Sequence, residues 1–289
     1  MEAYSIDSSL LSNQASRSLR VRFFKNKLGM LSLIALSLLI LLCLFGPHFS
    51  QYGEFDQDCF LGLSTPSKAH WLGTDLLGRD LWVRTLTAGR ISLFVGLMAT
   101  LVSIIIGVCY GVFSAYKGGW VDSVLMRLID IIQALPYIFL VIIFMFFLGR
   151  GWVALFLAIG VVAWLNTARM VRSLVLSLKQ QAFIQAAQVM GQSPLNIFWK
   201  HFLPNILGMV IVCATLMVPS IIMLESLLSF LGIGVPPPTV SLGGLIQNGI
   251  GLIEEAPYVL LAPSALLLLL LLSLNFLGDA LKDTLDVRF

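Results

Sequence analysis

Charge is what this sequence has least of. Asp, Glu, Lys and Arg together supply 11% of its 289 residues, against about 25% in an ordinary soluble domain. Apolar residues supply 58%, and the mean hydropathy is +0.94. That balance excludes a water-soluble globule and a disordered chain, and fits one polytopic membrane domain. Histidine and cysteine are also scarce. His48, His70 and His201 lie far apart, and Cys43, Cys59, Cys109 and Cys213 are dispersed, giving neither a disulfide framework nor metal-ligand spacing. The chain lacks a phosphate-cradling Gly-x-x-x-x-Gly-Lys-Ser/Thr loop, so no ATP, Mg or other cofactor is expected to be bound by it. A net charge of +3 is too small to suggest nucleic acid.

What remains is a series of apolar runs. They predict an all-α protein with six transmembrane helices over residues 28–45, 91–116, 127–148, 152–168, 206–230 and 258–278. The shortest just reach across a roughly 30 Å hydrocarbon layer at 1.5 Å per residue. Gly96, Gly107 and Gly111 thin the second run for close helix packing. Pro136 should kink the third, where Arg127 and Asp130 stand at i, i+3 as an expected ion pair. A 14-residue apolar piece, 240–253, is too short to span and reads as a re-entrant segment. Glu225 lies inside the fifth run. Ionisable residues there are costly and often functional, so it is expected either to partner a neighbouring helix or to face a translocation path, with Pro136 the other path candidate.

Six crossings put both termini on one side. Residues 1–27 form a tail and 28–289 the membrane domain, with outer loops 46–90 and 231–257 and an inner loop 169–204. Thirteen of the 18 Lys and Arg then fall inside and five outside, as the positive-inside rule requires, so both termini are expected in the cytoplasm. The first apolar run follows a long polar tail with no cleavage pattern after it, so no cleaved leader is expected.

The loop between runs four and five is too polar to lie in hydrocarbon. It reads as two short helices: one over 179–190 closed by Gly191 as a left-handed residue, and a second capped by Ser193 with Pro194 at its first position, ending at Leu203-Pro204. Ala186 and Ala187 give the first helix a thin face for another protein's backbone, and Phe183 and Ile184 offer apolar anchors for a groove. In the outer loop, Gly73 and Gly78 mark turns, Thr74 and Asp75 can cap a short helix, and Asp75, Arg79 and Asp80 can form an ion network. That network would pin the loop as a lid or contact a partner.

The run Gln185-Ala186-Ala187, then Gly191, then Leu203-Pro204 resembles the EAA loop of permease subunits of bacterial ATP-binding-cassette importers, the coupling helix that docks on the ATPase. Gln185 stands where that family has Glu and lacks its charge, and His201 stands where it has Ile. The outer run His70-Trp71-Leu72-Gly73-Thr74-Asp75, then Gly78-Arg79-Asp80, then Gly89-Arg90-Ile91-Ser92-Leu93 is similar to a signature of the peptide branch. So are Leu228 to Gly234 and Leu277 to Asp283. The likeness covers nearly the whole chain and points to the C-type permeases of oligopeptide and dipeptide importers. It implies a type I importer fold in the bacterial inner membrane, a second permease, two ATPase subunits, and a binding protein delivering peptide from outside. Nickel or another small solute is the alternative cargo. A membrane-embedded enzyme would need a nucleophile and base on facing helices, and an ion-coupled carrier would need mid-membrane ionisable groups; only Glu225 partly qualifies.

Overall fold

A computed structural model describes residues 23–285. The basic tail before residue 23 and the last four residues lie outside the described residues. Within them the chain is helical, with a single isolated bridge between Thr74 and Asp80. Helix α1 (Lys27–Phe45) starts at Asn26, whose side chain accepts from the Gly29 amide. Helix α2 (Leu81–Lys117) starts ten residues earlier than its apolar run, because the Asp80 carboxylate caps it through the Val83 amide at 2.9 Å. Residues 81–90 are therefore helix, not loop. At 37 residues and 1.5 Å each, α2 is about 55 Å long, well beyond the apolar layer.

The third crossing is broken. Helices α3 (Gly119–Gln133) and α4 (Tyr137–Leu148) meet at 91°, far more than the kink Pro136 alone suggested. Pro136 has no N–H with which to continue α3, and at the other end Gly118 and Gly119 take φ of +66° and +54°, turning α3 sharply off α2. Among the described residues five helices are long and apolar enough to cross a membrane, and the bent pair, counted as one span, makes six.

Helix α5 (Trp152–Lys179) runs a further three turns past the expected end of its span. Short helices α6 (Ala182–Val189) and α7 (Pro194–Ile197) follow, and a π-helical turn, Phe198–Phe202, leads into α8 (Leu203–Phe230). The expected stop at Leu203-Pro204 does not occur. Pro204 sits in the first turn of α8, where its missing N–H costs little. Helix α9 (Leu242–Ile250) is a nine-residue piece seated against α8 and α10 (Pro257–Leu285).

Packing centres on α2 and α5. A Cβ on Gly111 would lie 2.5 Å from the Ala168 carbonyl oxygen, and one on Gly107 would lie 2.6 Å from Thr167 Cβ. The glycines thus let two backbones touch. On the far side, α1 packs on α10 and leaves Leu31, Leu38 and Leu41 exposed, as a lipid-facing helix should.

Candidate functional site: hairpin, cavity and cap

Three features account for most of the residues singled out by sequence: a helical hairpin at one end, a cavity beside the α3–α4 break, and a cap at the other end.

The hairpin is α6, α7 and the π-helical turn. Gly191 has φ +74°, and Ser193 Oγ accepts from the Asn196 amide at 3.3 Å. Ile184 and Ala187 are buried. Ile184 joins Val175, Ile197, Phe202 and Ile206 in one apolar cluster, so it anchors the hairpin to its own chain and cannot reach a partner's groove. The outward face instead carries Phe183, Gln185 and Ala186, with Val189, Met190, Leu195 and Trp199. Gln185 is exposed, its amide donating to the Gln180 carbonyl at 3.4 Å. Leu203 is half-buried and Pro204 exposed.

Polar contacts hold this end. Arg172 donates to Asp122 through Nε at 2.6 Å and Nη2 at 2.5 Å, and Ser114 Oγ donates to the same carboxylate at 2.6 Å. Lys179 Nζ donates to the Tyr116 carbonyl at 2.8 Å, a cation on the last turn of α2 where the helix dipole is negative. Asp130 pairs with Arg169, not with Arg127 as its spacing suggested. Both acids of α3, Asp122 and Asp130, thus face α5.

The cavity measures ≈ 980 Å³ and lies between the α3–α4 break, α5 and α8. Pro136 lines it. So do Gln133, Tyr137, Asn166, Met217 and Ser220, none of which stood out in the sequence. Gln133 and Asn166 are joined by a 2.9 Å hydrogen bond. Polar amides inside otherwise apolar runs were the signal that could have found them.

Glu225 does not line the cavity. It is fully buried, and its carboxylate accepts from Ser92 Oγ at 2.7 Å and Ser229 Oγ at 2.8 Å. Of the two readings held open for it, the structure supports the partner to a neighbouring helix.

The cap is the loop from Ser50 to Asp80. Asp75 accepts from the Leu77 and Arg79 amides and from Arg79 Nε at 2.7 Å. Thr74 Oγ1 donates to the Gly62 carbonyl and accepts from the Ser64 amide, both at 2.7 Å. Neither Thr74 nor Asp75 caps a helix; that task falls to Asp80, which also holds His70 Nδ1 at 2.8 Å. Gly73 and Gly78 have φ of +81° and +67°, and a Cβ on Gly78 would strike the Asp58 backbone. Glu54, half-buried in this loop, has a carboxyl pushed above its ordinary value by burial, with Arg90 and Arg84 pulling it back.

Residues 104–289 match the binding-protein-dependent transport system inner membrane component, and residues 14–61 match the N-terminal TM domain of oligopeptide transport permease C. The chain is 46% identical over 271 residues to the oligopeptide transport system permease protein OppC of Escherichia coli (strain K12), covering 93% of this chain and 90% of that one. It is 39% identical over 268 residues to OppC of Bacillus subtilis (strain 168), covering 93% and 88%. To the dipeptide transport system permease protein DppC of the same bacterium it is 40% identical over 268 residues, covering 92% and 84%. In fold it is similar to the inward-facing MetNI methionine ABC transporter, at a TM-score of 0.55 and 21% identity over 71% of this chain and 97% of that one. The chain belongs to the family of binding-protein-dependent transport inner-membrane components, as a multi-pass C-type permease of the oligopeptide and dipeptide kind.

Proposed function

We propose that this chain is a peptide-importing permease subunit of an ATP-binding-cassette transporter, with the hairpin as its ATPase dock. One observation carries the mechanism. Helix α8 begins inside the hairpin at Leu203 and contributes Met217, Ser220 and Leu224 to the cavity wall. A displacement of the hairpin is therefore carried to the wall along one helix, which has Pro219 inside it between Met217 and Ser220. Ile184, Ile197 and Phe202 tie the hairpin to α8 as one packed body, so force applied to Ala186 or Met190 is delivered to the helix.

A second, similar permease closes the cavity into a path. Two ATPase subunits sit against the hairpin end, which faces the cytoplasm with both termini. An extracytoplasmic binding protein delivers solute at the cap end. Moving such an assembly from 1:99 to 99:1 between inward- and outward-facing states takes about 5.5 kcal/mol of differential stabilisation, which closure of the ATPases on bound ATP would supply. This chain binds no nucleotide itself. Peptide is the cargo on the strength of the oligopeptide and dipeptide relatives.

The test is a reconstituted complex in which Met190 is replaced by Asp on the exposed face. The variant chain should insert normally, fail to retain the ATPases at least tenfold relative to wild type, and lose peptide uptake. Full retention and full uptake would overturn the docking assignment.

A further inference from the structure

A small pocket of ≈ 180 Å³ lies at the cap end, between the cap loop, the α4–α5 turn and residues 229–248. It shares no lining residue with the larger cavity. Its walls contain three guanidiniums, Arg79, Arg84 and Arg150, and no carboxylate, beside the side-chain amides of Gln247 and Asn248. Arg84 is the unusual member. It is only 2% exposed, and its Nε and Nη1 have no hydrogen-bond partner. Its Nε lies 3.5 Å from Asp75 Oδ2, within ion-pair range but without a hydrogen bond, while Arg79 Nε donates to that same oxygen at 2.7 Å. One carboxylate thus serves two guanidiniums. A buried guanidinium left without hydrogen bonds costs several times what an exposed one does, and its planar fork matches a planar oxyanion.

We propose that this pocket is a carboxylate-binding site, in which Arg84 and Arg150 take the two oxygens and the Gln247 and Asn248 amides close the rim. Its volume is about six waters' worth at ~30 Å³ each, room for a carboxylate and a few attached atoms but not for a folded segment. Glu54, the other acid near Arg84, does not line the pocket, so it does not satisfy the site from within. The existence of the site is independent of the import reading. The source of the carboxylate rests on that reading: the chain terminus of a delivered peptide, or an acidic side chain of the docked binding protein.

The site is tested on the purified chain in lipid nanodiscs, with trifluoroacetate as the probe followed by fluorine NMR. Saturable line broadening, displaced by acetate but not by methylammonium, is expected. Apparent affinity should fall at least tenfold in Arg150→Gln, an exposed turn residue whose loss leaves packing intact, and likewise in Arg84→Gln. Absence of saturable binding, unchanged binding in both variants, or stronger displacement by inorganic phosphate than by acetate would overturn the assignment. In the assembled transporter, Arg150→Gln then separates the sources. An uptake defect confined to peptides with a free C-terminus, and absent for their C-terminal amides, identifies the solute. An equal defect for both, with weaker binding-protein docking, identifies the partner.

Discussion

Ser92 on α2 donates a 2.7 Å hydrogen bond to Glu225 on α8, across 133 positions of sequence, while the amide of Leu242 at the start of α9 donates to the same serine oxygen at 3.4 Å. Three helices are thereby joined through one hydroxyl and one carboxylate. With Ser229 and Ser226 also directed at Glu225, three of the carboxylate's roughly four acceptor sites are taken and the serine hydroxyls have a place to donate.

Replacing Glu225 by Leu leaves those hydroxyls facing an apolar group. At about 1 kcal/mol for each lost hydrogen bond, the cost is on the order of 3 kcal/mol. Glu225→Gln keeps an acceptor oxygen and should cost about 1 kcal/mol. Thermal unfolding in detergent reads the difference, and hydrogen exchange over 242–250 should rise in the Leu variant because α9 loses its tether. Equal stability of the two variants would show that the serine cage contributes nothing.

The two alanines of the hairpin, adjacent in sequence, should behave oppositely. Ala186 is exposed, whereas Ala187 is 1% exposed. Ala186→Trp projects into the space of a docked partner and should abolish ATPase coupling with the melting temperature unchanged. Ala187→Trp overpacks the interior, at about 1–3 kcal/mol, and should lower the melting temperature as well. Both variants are read by thermal unfolding beside ATPase retention. A stability loss in Ala186→Trp would mean that the outward face had been misassigned.

The contrast between these alanines shows where the sequence stops being informative. The apolar runs, Gly191 and Ser193 are local or additive signals, and they located the helices and the hairpin. Which of two neighbours faces inward depends on the helix's rotation, and Ile184 is set by packing against Phe202 and Ile206, which no eight-residue helix specifies alone. The Asp130–Arg169 and Asp122–Arg172 pairs were hidden for a related reason. They join residues 39 and 50 positions apart and depend on how α3 is set between the Gly118–Gly119 turn and the 91° break, which Pro136 announces in position but not in angle. Arg84 was hidden by length, since it falls in the ten residues by which the Asp80 cap extends α2 outward.

The contact between α2 and α5 yields a paired prediction. Gly111→Ala places a methyl group 2.5 Å from a backbone oxygen, which cannot swing aside as a side chain can. The helices must part, and overpacking of this kind costs about 1–3 kcal/mol. At Gly208 in α8 a methyl group would meet nothing within 4 Å, so Gly208→Ala should gain up to about 1 kcal/mol from helix propensity. Opposite shifts in unfolding temperature are expected, and two shifts of the same sign would remove the close-approach explanation for Gly111.

The cap loop should carry a pH signature from Glu54. Its Oε1 is buried without a hydrogen-bond partner, and burial raises the carboxyl above its ordinary value of 4.5. The folded loop then holds the proton more tightly than the unfolded chain does. This contribution is fully present below the ordinary value and lost as pH rises through the raised one. Glu54→Gln removes the titration. Relative to wild type, the variant's loop should resist proteolysis within 50–80 better at pH 7 and equally at pH 4. If the Gln loop is instead cut faster at pH 7, attraction to Arg90 and Arg84 outweighs desolvation, and Glu54 is a stabilising ion partner of the arginines beside the carboxylate pocket.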